Sequence, residues 1–541
     1  MGKKKCSLIF ICLLATVLCS ACGKTSESYS GYAKADYTKI TLYSDVSFWE
    51  PPLWDTTEGT VTGDISAKTG VTVDVEVPTQ EADTRLKLKI IDDELPDVMA
   101  VTDETTINQL ITSGKVFRMD EFFETYKPDS HILKQFPEDV KKELIKRDGA
   151  WYVLPSHINS KDARNIWKPC IDYWNDVAEY SDNNTIIWNK HLLGQLGIRE
   201  EELDTEEGVL AAFEKAKNSG ITVDGKDIIP LILDGKAYQD PSLKYLEGTF
   251  GAEWVDENGN YKDIILQPET KEALKFIHTA LQKGYLTAES LTLENMQVKE
   301  LIASGRLLCF IGNAANTSAS EEDWFSTGAI ISSENKTPVL GIEMEASTGW
   351  MQILISKDCK SPRKIADWID YMTSEEGMQL CFFGHEGEDY TIDEKGMIHR
   401  TEKRKDAEAN YSSTGIGAWW LFENLAWRRS VSPADEEYGN IQLAYGSDPR
   451  TVRYDLSLLM FPADLIAADS EEGKIEQEIK TFKEKQILVT VLAETDEQFE
   501  TEYKKLIDGL YERGIEDIDA LKNEAYQKNC EDYQTSIQKV N

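Results

Sequence analysis

A chain of 541 residues, 41% hydrophobic and 10% aromatic, is long enough for more than one lobe and too apolar to be mainly disordered. Its formal net charge of −38 repels phosphate backbones and anionic lipid headgroups, which argues against nucleic acid as a partner and mildly against a polyanionic ligand unless a local basic pocket overrides it. Most of that charge reads as a device for solubility.

The N-terminus carries the clearest signal. Lys3, Lys4 and Lys5 precede an apolar run from Leu8 to Leu18, and Ser20-Ala21-Cys22 follows, the layout of a cleaved export signal. The run is too short to span a bilayer, and no stretch after residue 22 reaches the roughly 20 apolar residues a spanning helix needs. A cysteine directly after small residues resembles a bacterial lipobox, although Cys19 stands where an aliphatic residue is usual. The expectation is cleavage before Cys22, acylation of its thiol, and a tether through residue 39, rich in Ser, Lys, Thr and Gly from Lys24 to Tyr37. The remaining cysteines, Cys170, Cys309, Cys359, Cys381 and Cys530, are scattered and odd in number. With no C-x-x-C pair they support neither a disulfide framework nor a zinc site; buried free thiols are expected, with one or two bridges left open.

Ile40 to Tyr43 reads as a strand, broken by Ser44 to Asp55 with its two prolines and two tryptophans. Val71 to Val77 alternates as a half-buried strand, and Arg85 to Ile91 fits strand or helix equally. Leu95 to Val101 is a turn feeding a strand, and Ile107 to Ser113 a helix stopped by Gly114. This order predicts an α/β layer with a largely parallel sheet. Farther on, Thr185 to Asn189 is a strand and Lys190 to Leu196 a helix ended by Gly197. Thr205 to Asn218 is helical; a helix over Val298 to Ser304 precedes a buried strand, Arg306 to Ile311, and a polar loop to Ser320. Ser361-Pro362 opens a helix whose apolar face is Ile365, Trp368, Ile369 and Met372, and Thr373-x-x-Glu376 reads as a capping box for the next. From Thr495 the chain is mostly helical, with Phe499, Tyr503, Leu506, Ile507 and Leu510 on one stripe.

Catalytic signatures are missing: there is no P-loop, no G-x-S-x-G and no H-E-x-x-H, and only six histidines. Asp256 to Asn260 imitates a calcium loop, but Tyr261 occupies the position that needs glycine, so a plain hairpin turn is expected. The positive signal is tryptophan in turn-rich segments. Trp49 and Trp54 sit in the proline loop, Trp188 ends an apolar strand, Trp350 follows Ser347-Thr348-Gly349, and Trp419-Trp420 follow Gly415-Ile416-Gly417. Indole faces stack on sugar rings, though any single tryptophan is more often a core residue. Trp368, periodic on its helix, is assigned to the core, while Trp174, Trp254 and Trp427 are undecided.

In order along the chain, the lipobox, LPDVMAVTD (95–103), IIWNKHLLGQL (186–196), SGRLLCFIG (304–312), ILISKDCKSPRKIADWIDYMTSEEGM (353–378) and FGHEGEDYTIDEKG (383–396) resemble extracellular solute-binding lipoproteins of sugar-type ABC importers, close to the Gram-positive LipO-like group. The resemblance covers nearly the whole chain after the leader. It implies a two-lobed periplasmic-binding-protein-like fold of type II, each lobe a largely parallel sheet flanked by helices, with a helical C-terminal region. The expected division is a signal over 1–21, a tether over 22–39, lobe 1 over 40–185, lobe 2 over 186–312, a return to lobe 1 over 313–350, and lobe 2 with the C-terminal helices over 351–541. The resemblance places Trp49, Asp103, Trp188, Asn313, Asn316, Trp350, Glu386, Tyr390, Trp419 and Trp420 on the loops facing the ligand. Trp151 and the segment WKPCIDYW (167–174) depart from the usual wording.

The implied function is capture of a solute, with an oligosaccharide favoured, by a monomer anchored through Cys22 that delivers it to a membrane permease by closure of the lobes. It implies no catalysis, cofactor or metal. The alternatives are a lipid-anchored carbohydrate-active enzyme, which would need two carboxylates at defined separation, and a binding protein that feeds a sensor.

Overall fold

The computed structural model describes residues 36–78, 82–342, 348–433, 441–462, 465–467, 470–533 and 539–540. Residues 1–35, with the expected leader and Cys22, lie outside them.

From Tyr37 onward the chain opens with strands β1 (Thr38–Ser44), β2 (Val71–Glu76), β3 (Val98–Val101) and β4 (Leu154–Pro155). It then enters a second lobe with β5 (Asn184–Asn189), β6 (Ile229–Leu233), β7 (Leu307–Asn313) and β8 (Trp324–Phe325), followed by β9 (Val339–Ile342). Strand β10 (Gln352–Ile355) returns to the first lobe, and β11 (Val452–Asp455) pairs in parallel with β9 in the second. The first sheet has the order β2-β1-β3-β10-β4, and the second β8-β5-β7-β6. Both are mixed. Parallel pairs β1/β2, β1/β3 and β6/β7 form their centres, while β10 runs antiparallel to β3 and β4, and β5 antiparallel to β7.

The two largest apolar clusters sit one on each of these sheets. One joins Ile40, Leu42, Met99, Ile353, Trp368 and Trp419; the other joins Ile186, Leu231, Phe213, Phe276, Leu506 and Leu510. This corrects two expected boundaries. Residues 313–342 do not return to lobe 1, because Trp324 pairs with Asn189 and Tyr245 donates a 2.6 Å hydrogen bond to the Gly328 carbonyl. Residues 351–431 belong to lobe 1, because β10 completes its sheet and the helix Pro362–Met372 buries Trp368 against Phe422. Lobe 2 resumes by Leu443–Tyr445 and ends in three helices, Glu471–Val491, Asp496–Glu512 and Ile515–Tyr533.

Local chemistry explains most element ends. Asn189 caps the helix Lys190–Leu196 through a 3.0 Å bond from the Leu192 amide, and Gly197 closes it at φ 60°, where a side chain would be strained. The ambiguous segment at 85–91 is helical, within Ala82–Asp92. At 373–376 the cap is Ser374, whose hydroxyl accepts from Gly377 N, while Thr373 turns back to bond the Ile369 carbonyl of the preceding helix. Asp256 holds its turn by accepting from the amides of Asn258 and Asn260, the hairpin geometry expected there. All five cysteines beyond the leader are free thiols.

Trp188 is 0% exposed, stacked on Phe213 at 5.7 Å with its indole N–H bonded to Thr327. Trp188→Ala is therefore expected to cost about 3–5 kcal/mol of stability in lobe 2, measured as a lower denaturant midpoint with guanidinium.

Candidate functional site

Register decides which residues meet. Strands β1 and β3 end at Ser44 and Val101, and β10, running the other way, begins beside them, with Gln352 opposite both Val101 and Pro155. One edge of the first sheet thus gathers Asp45 to Trp49, Thr102-Asp103, Gly349-Trp350 and Ser156-His157. In the second sheet β6 ends at Leu233, β7 ends at Asn313, and β5 begins opposite it at Asn184. Its corresponding edge gathers Asn184, Asp234 and Asn313 to Asn316. Open α/β sheets hold ligands outside the carboxyl ends of their strands. The two edges are joined by the crossing helix Tyr173–Tyr180, and Lys299 of lobe 2 lies within electrostatic reach of Glu50 of lobe 1.

Each edge is tied by one carboxylate. Asp45 accepts from the amides of Thr102 and Asp103 at 2.7 and 3.0 Å. Asp234 accepts from the Asn313 amide at 2.7 Å, and burial raises its pKa. A cavity of about 870 Å³ starts at the lobe 2 edge with Asp182, Asn184, Lys236 and Gln239 and runs back to Trp254, Tyr445 and the helix Glu471–Val491. Burial pushes the Asp182 carboxyl up to about 6, against the bond it accepts from Asn184 N at 3.0 Å.

The expected site residues divide. Trp350 is 42% exposed and stands edge-on to His157 at 5.4 Å. Trp420 is partly exposed, packed between Phe48 and Tyr411, whose hydroxyl accepts from Glu50 N. Asn313 and Asn316 lie on the lobe 2 edge; Asn313 Oδ1 is buried and accepts no bond among the described residues. Asp103 is on the lobe 1 edge, but its carboxylate caps the helix Glu104–Thr112 by accepting from Thr106 N.

The other five do not face the cleft as expected. Trp49 is buried, its indole donating to the Ala418 carbonyl, and it packs edge-on against Trp419, itself 0% exposed. Trp188 sits at the far end of β5 from the cleft, since that strand enters lobe 2 at Asn184. Tyr390 is buried with its hydroxyl bonded to Gln379, and Glu386 is an exposed residue of the turn beside it. Of the undecided tryptophans, Trp427 is buried in lobe 1 and Trp174 is mostly buried, its indole N–H bonded to the Ser432 carbonyl.

Sequence reading missed the charged cluster beneath Trp350. His157 has φ 58°, Nδ1 2.8 Å from Ser156 Oγ and Nε2 3.0 Å from Glu423. Arg428 pairs with the other Glu423 oxygen at 2.5 Å. Nothing local marks these residues, because 266 positions separate His157 from Glu423; they meet where His157 N donates to the Glu423 carbonyl at 2.6 Å and Ala426 N to the Ile158 carbonyl at 3.0 Å. Among the described residues no group of His, Cys, Asp and Glu could hold a metal ion, and no helix is long and apolar enough to cross a membrane.

Residues 59–379 match the family described as bacterial extracellular solute-binding protein. The chain belongs to that family. The family is one of binding proteins, not enzymes, and this solute-binding protein is extracellular accordingly. No curated protein matches it. Among solved structures it is similar to the S. pneumoniae ABC-transporter substrate-binding protein FusA in complex with kestose, at 16% identity and TM-score 0.64, covering 92% of this chain and 99% of that one. The N-glycan transport solute-binding protein NgtS of Streptococcus pneumoniae is 14% identical, TM-score 0.57, over 91% and 99% of the two chains. An HMO-binding, ABC-transporter-associated protein of Bifidobacterium longum infantis is 11% identical, TM-score 0.62, over 91% and 98%. At such identities the likeness establishes the two-lobed α/β fold.

Glu423 sets a pH dependence. Burial alone would raise its pKa; the charges of Arg428 and His157 outweigh that and bring it down to about 2. Because the folded value lies below the unfolded one, ionised Glu423 stabilises the fold above about pH 4.5, and that contribution of a few kcal/mol is lost as pH falls toward 2. Glu423→Gln should lower stability at pH 7 and flatten the acid limb of a denaturant-midpoint-versus-pH curve.

Proposed function

We propose that this protein captures an oligosaccharide between its lobes and delivers it to an ABC permease. The observation that carries the reading is the pairing of two carboxyl edges, that of lobe 1 with the exposed Trp350 and Phe48 and the partly exposed Trp420, and that of lobe 2 with Asn313 and Asn316. Aromatic faces stack on the apolar sides of pyranose rings, while amides and carboxylates bond hydroxyls. The likeness to a protein in complex with kestose, to an N-glycan transport protein and to an HMO-binding protein supports a sugar over a peptide. Closure around the ligand then presents a surface to the permease, with the ligand favouring the closed state. The leader supports a lipid anchor on Cys22 at the outer face of the membrane, with the tether ending before β1 begins at Thr38 rather than at residue 39, and the protein acting as a monomer.

The test is calorimetric titration and thermal shift of the soluble form from residue 36 against neutral oligosaccharides, peptides and nucleosides. Ligand at about 100 times its dissociation constant should add roughly 2.7 kcal/mol of stability. A saturable shift from oligosaccharides, with the sugar recovered unaltered, supports the reading; a shift from peptides alone, or sugar cleaved, overturns it. Trp350→Ala and Trp420→Ala should each weaken binding by about 2 kcal/mol, roughly 30-fold, with little change in melting temperature. Cys22→Ser should move the full-length protein from the membrane fraction to the medium, checked by fractionation and immunoblot.

A further inference from the structure

In a chain with a net charge of −38, three arginines come within electrostatic reach of one another at the hinge end of the cleft. Arg164 lies on the helix Lys161–Ile166, just before the crossing into lobe 2, and Arg428 and Arg429 lie on the helix Leu425–Val431, just before the last crossing. Arg428 is matched by Glu423. Arg164 donates to the Asn159 carbonyl, and the nearest carboxylate acting on it, Asp139, is already engaged by Ser160 Oγ and the Asp162 amide. Arg429 has neither an ion-pair partner nor a hydrogen-bond acceptor among the described residues. Its guanidinium lies over the Trp174 ring at 5.4 Å, and its backbone carbonyl is fixed by the Cys170 amide at 3.0 Å. Burial first, then repulsion by Arg428, lowers its pKa to about 10, with Glu423 opposing and Arg164 adding to the shift.

A guanidinium drawn out of water without an anion is costly, and the fork of Arg fits a carboxylate through two parallel bonds. The cluster is continuous with the candidate sugar site: Trp350 touches His157, His157 bonds Glu423, and Glu423 bonds Arg428. We propose that Arg429, backed by Trp174 and Arg164, is an anion subsite, so that the captured oligosaccharide carries a carboxylate, as a uronate or a sialate residue. This rests on the oligosaccharide reading and narrows its substrate class.

The test measures affinity for two pairs, trigalacturonate against galactotriose and sialyllactose against lactose, from low salt to about 0.5 M NaCl. The expected result is one acidic sugar bound at least about tenfold more tightly than its neutral counterpart, a factor equal to 1.4 kcal/mol, with the advantage shrinking as salt rises. Which pair shows it distinguishes uronate from sialate. Arg429→Gln should abolish the advantage and leave neutral affinities unchanged, while Arg429→Lys should keep part of it; melting curves verify that both variants fold. If a variant does not fold, the charge preference and salt dependence of the unmodified protein decide. Equal affinity within both pairs, binding of neutral sugars alone, or an acidic preference untouched by Arg429→Gln overturns the subsite and leaves the oligosaccharide reading intact. Binding of no sugar from either pair, or from the neutral panel above, overturns both.

Discussion

The pairing of β10 with β3 and β4 is the contact on which the rest of the architecture depends. It brings Ile353 opposite Ala100 across 253 residues of chain, after a whole second lobe has been built in between. Because β10 enters antiparallel, its first residues arrive at the edge where β1 and β3 end, and Trp350 is delivered there rather than to the opposite face. The same return forces the chain to cross between lobes again after Val431. The chain thus passes between the lobes three times, at the helix Tyr173–Tyr180, between β9 and β10, and between Val431 and Ile441. Two α/β lobes linked by a few crossing segments are suited to hinge motion, since few backbone dihedrals need to change.

The two lobes solve one local problem in the same way. Where parallel strands end, amides lose their ladder partners and must be bonded by something else. Asp45 does this for Thr102 and Asp103, and Asp234 for Asn313. The loops that face the cleft are thereby held by the sheet edges, so the side chains they carry are placed before any ligand arrives, which lowers the ordering cost of binding. The floor beneath Trp350 is set in a third way, by the buried Glu423 held between the half-buried His157 and Arg428. That group fixes His157 at positive φ and so fixes the ring against which Trp350 rests.

Charge is distributed against this background in an uneven manner. On exposed helices such as Glu471–Val491, Glu and Lys are nearly balanced and meet water and each other with little energetic consequence. Arg164, Arg428 and Arg429 lie at the hinge end, where desolvation strengthens the interactions they make. A protein can in this way remain highly soluble and anionic while offering a cationic element to what enters its cleft.

Most of the elements were legible from the residues: the strands at 40–43, 71–77 and 185–189, the helices at 190–196 and 205–218, and the amphipathic face of Ile365, Trp368, Ile369 and Met372. Their signals are local, residing in period, caps and glycine stops. The lobe to which each element belongs was not legible, because whether β10 joins the first sheet or the second depends on contacts hundreds of residues apart. The tryptophans show the same division. A glycine-containing or proline-containing turn marks Trp49, Trp350, Trp419 and Trp420 alike, yet Trp49 and Trp419 are buried while Trp350 is exposed and Trp420 partly so. His157, Glu423, Arg428 and Arg429 carry no marker of any kind. By itself, the sequence determined the α/β composition and the absence of catalytic motifs, since these reside in runs of neighbouring residues. Only the tertiary structure decided which side chains share the cleft, because strand register and chain crossings, not local pattern, choose the end of the sheet at which a residue emerges.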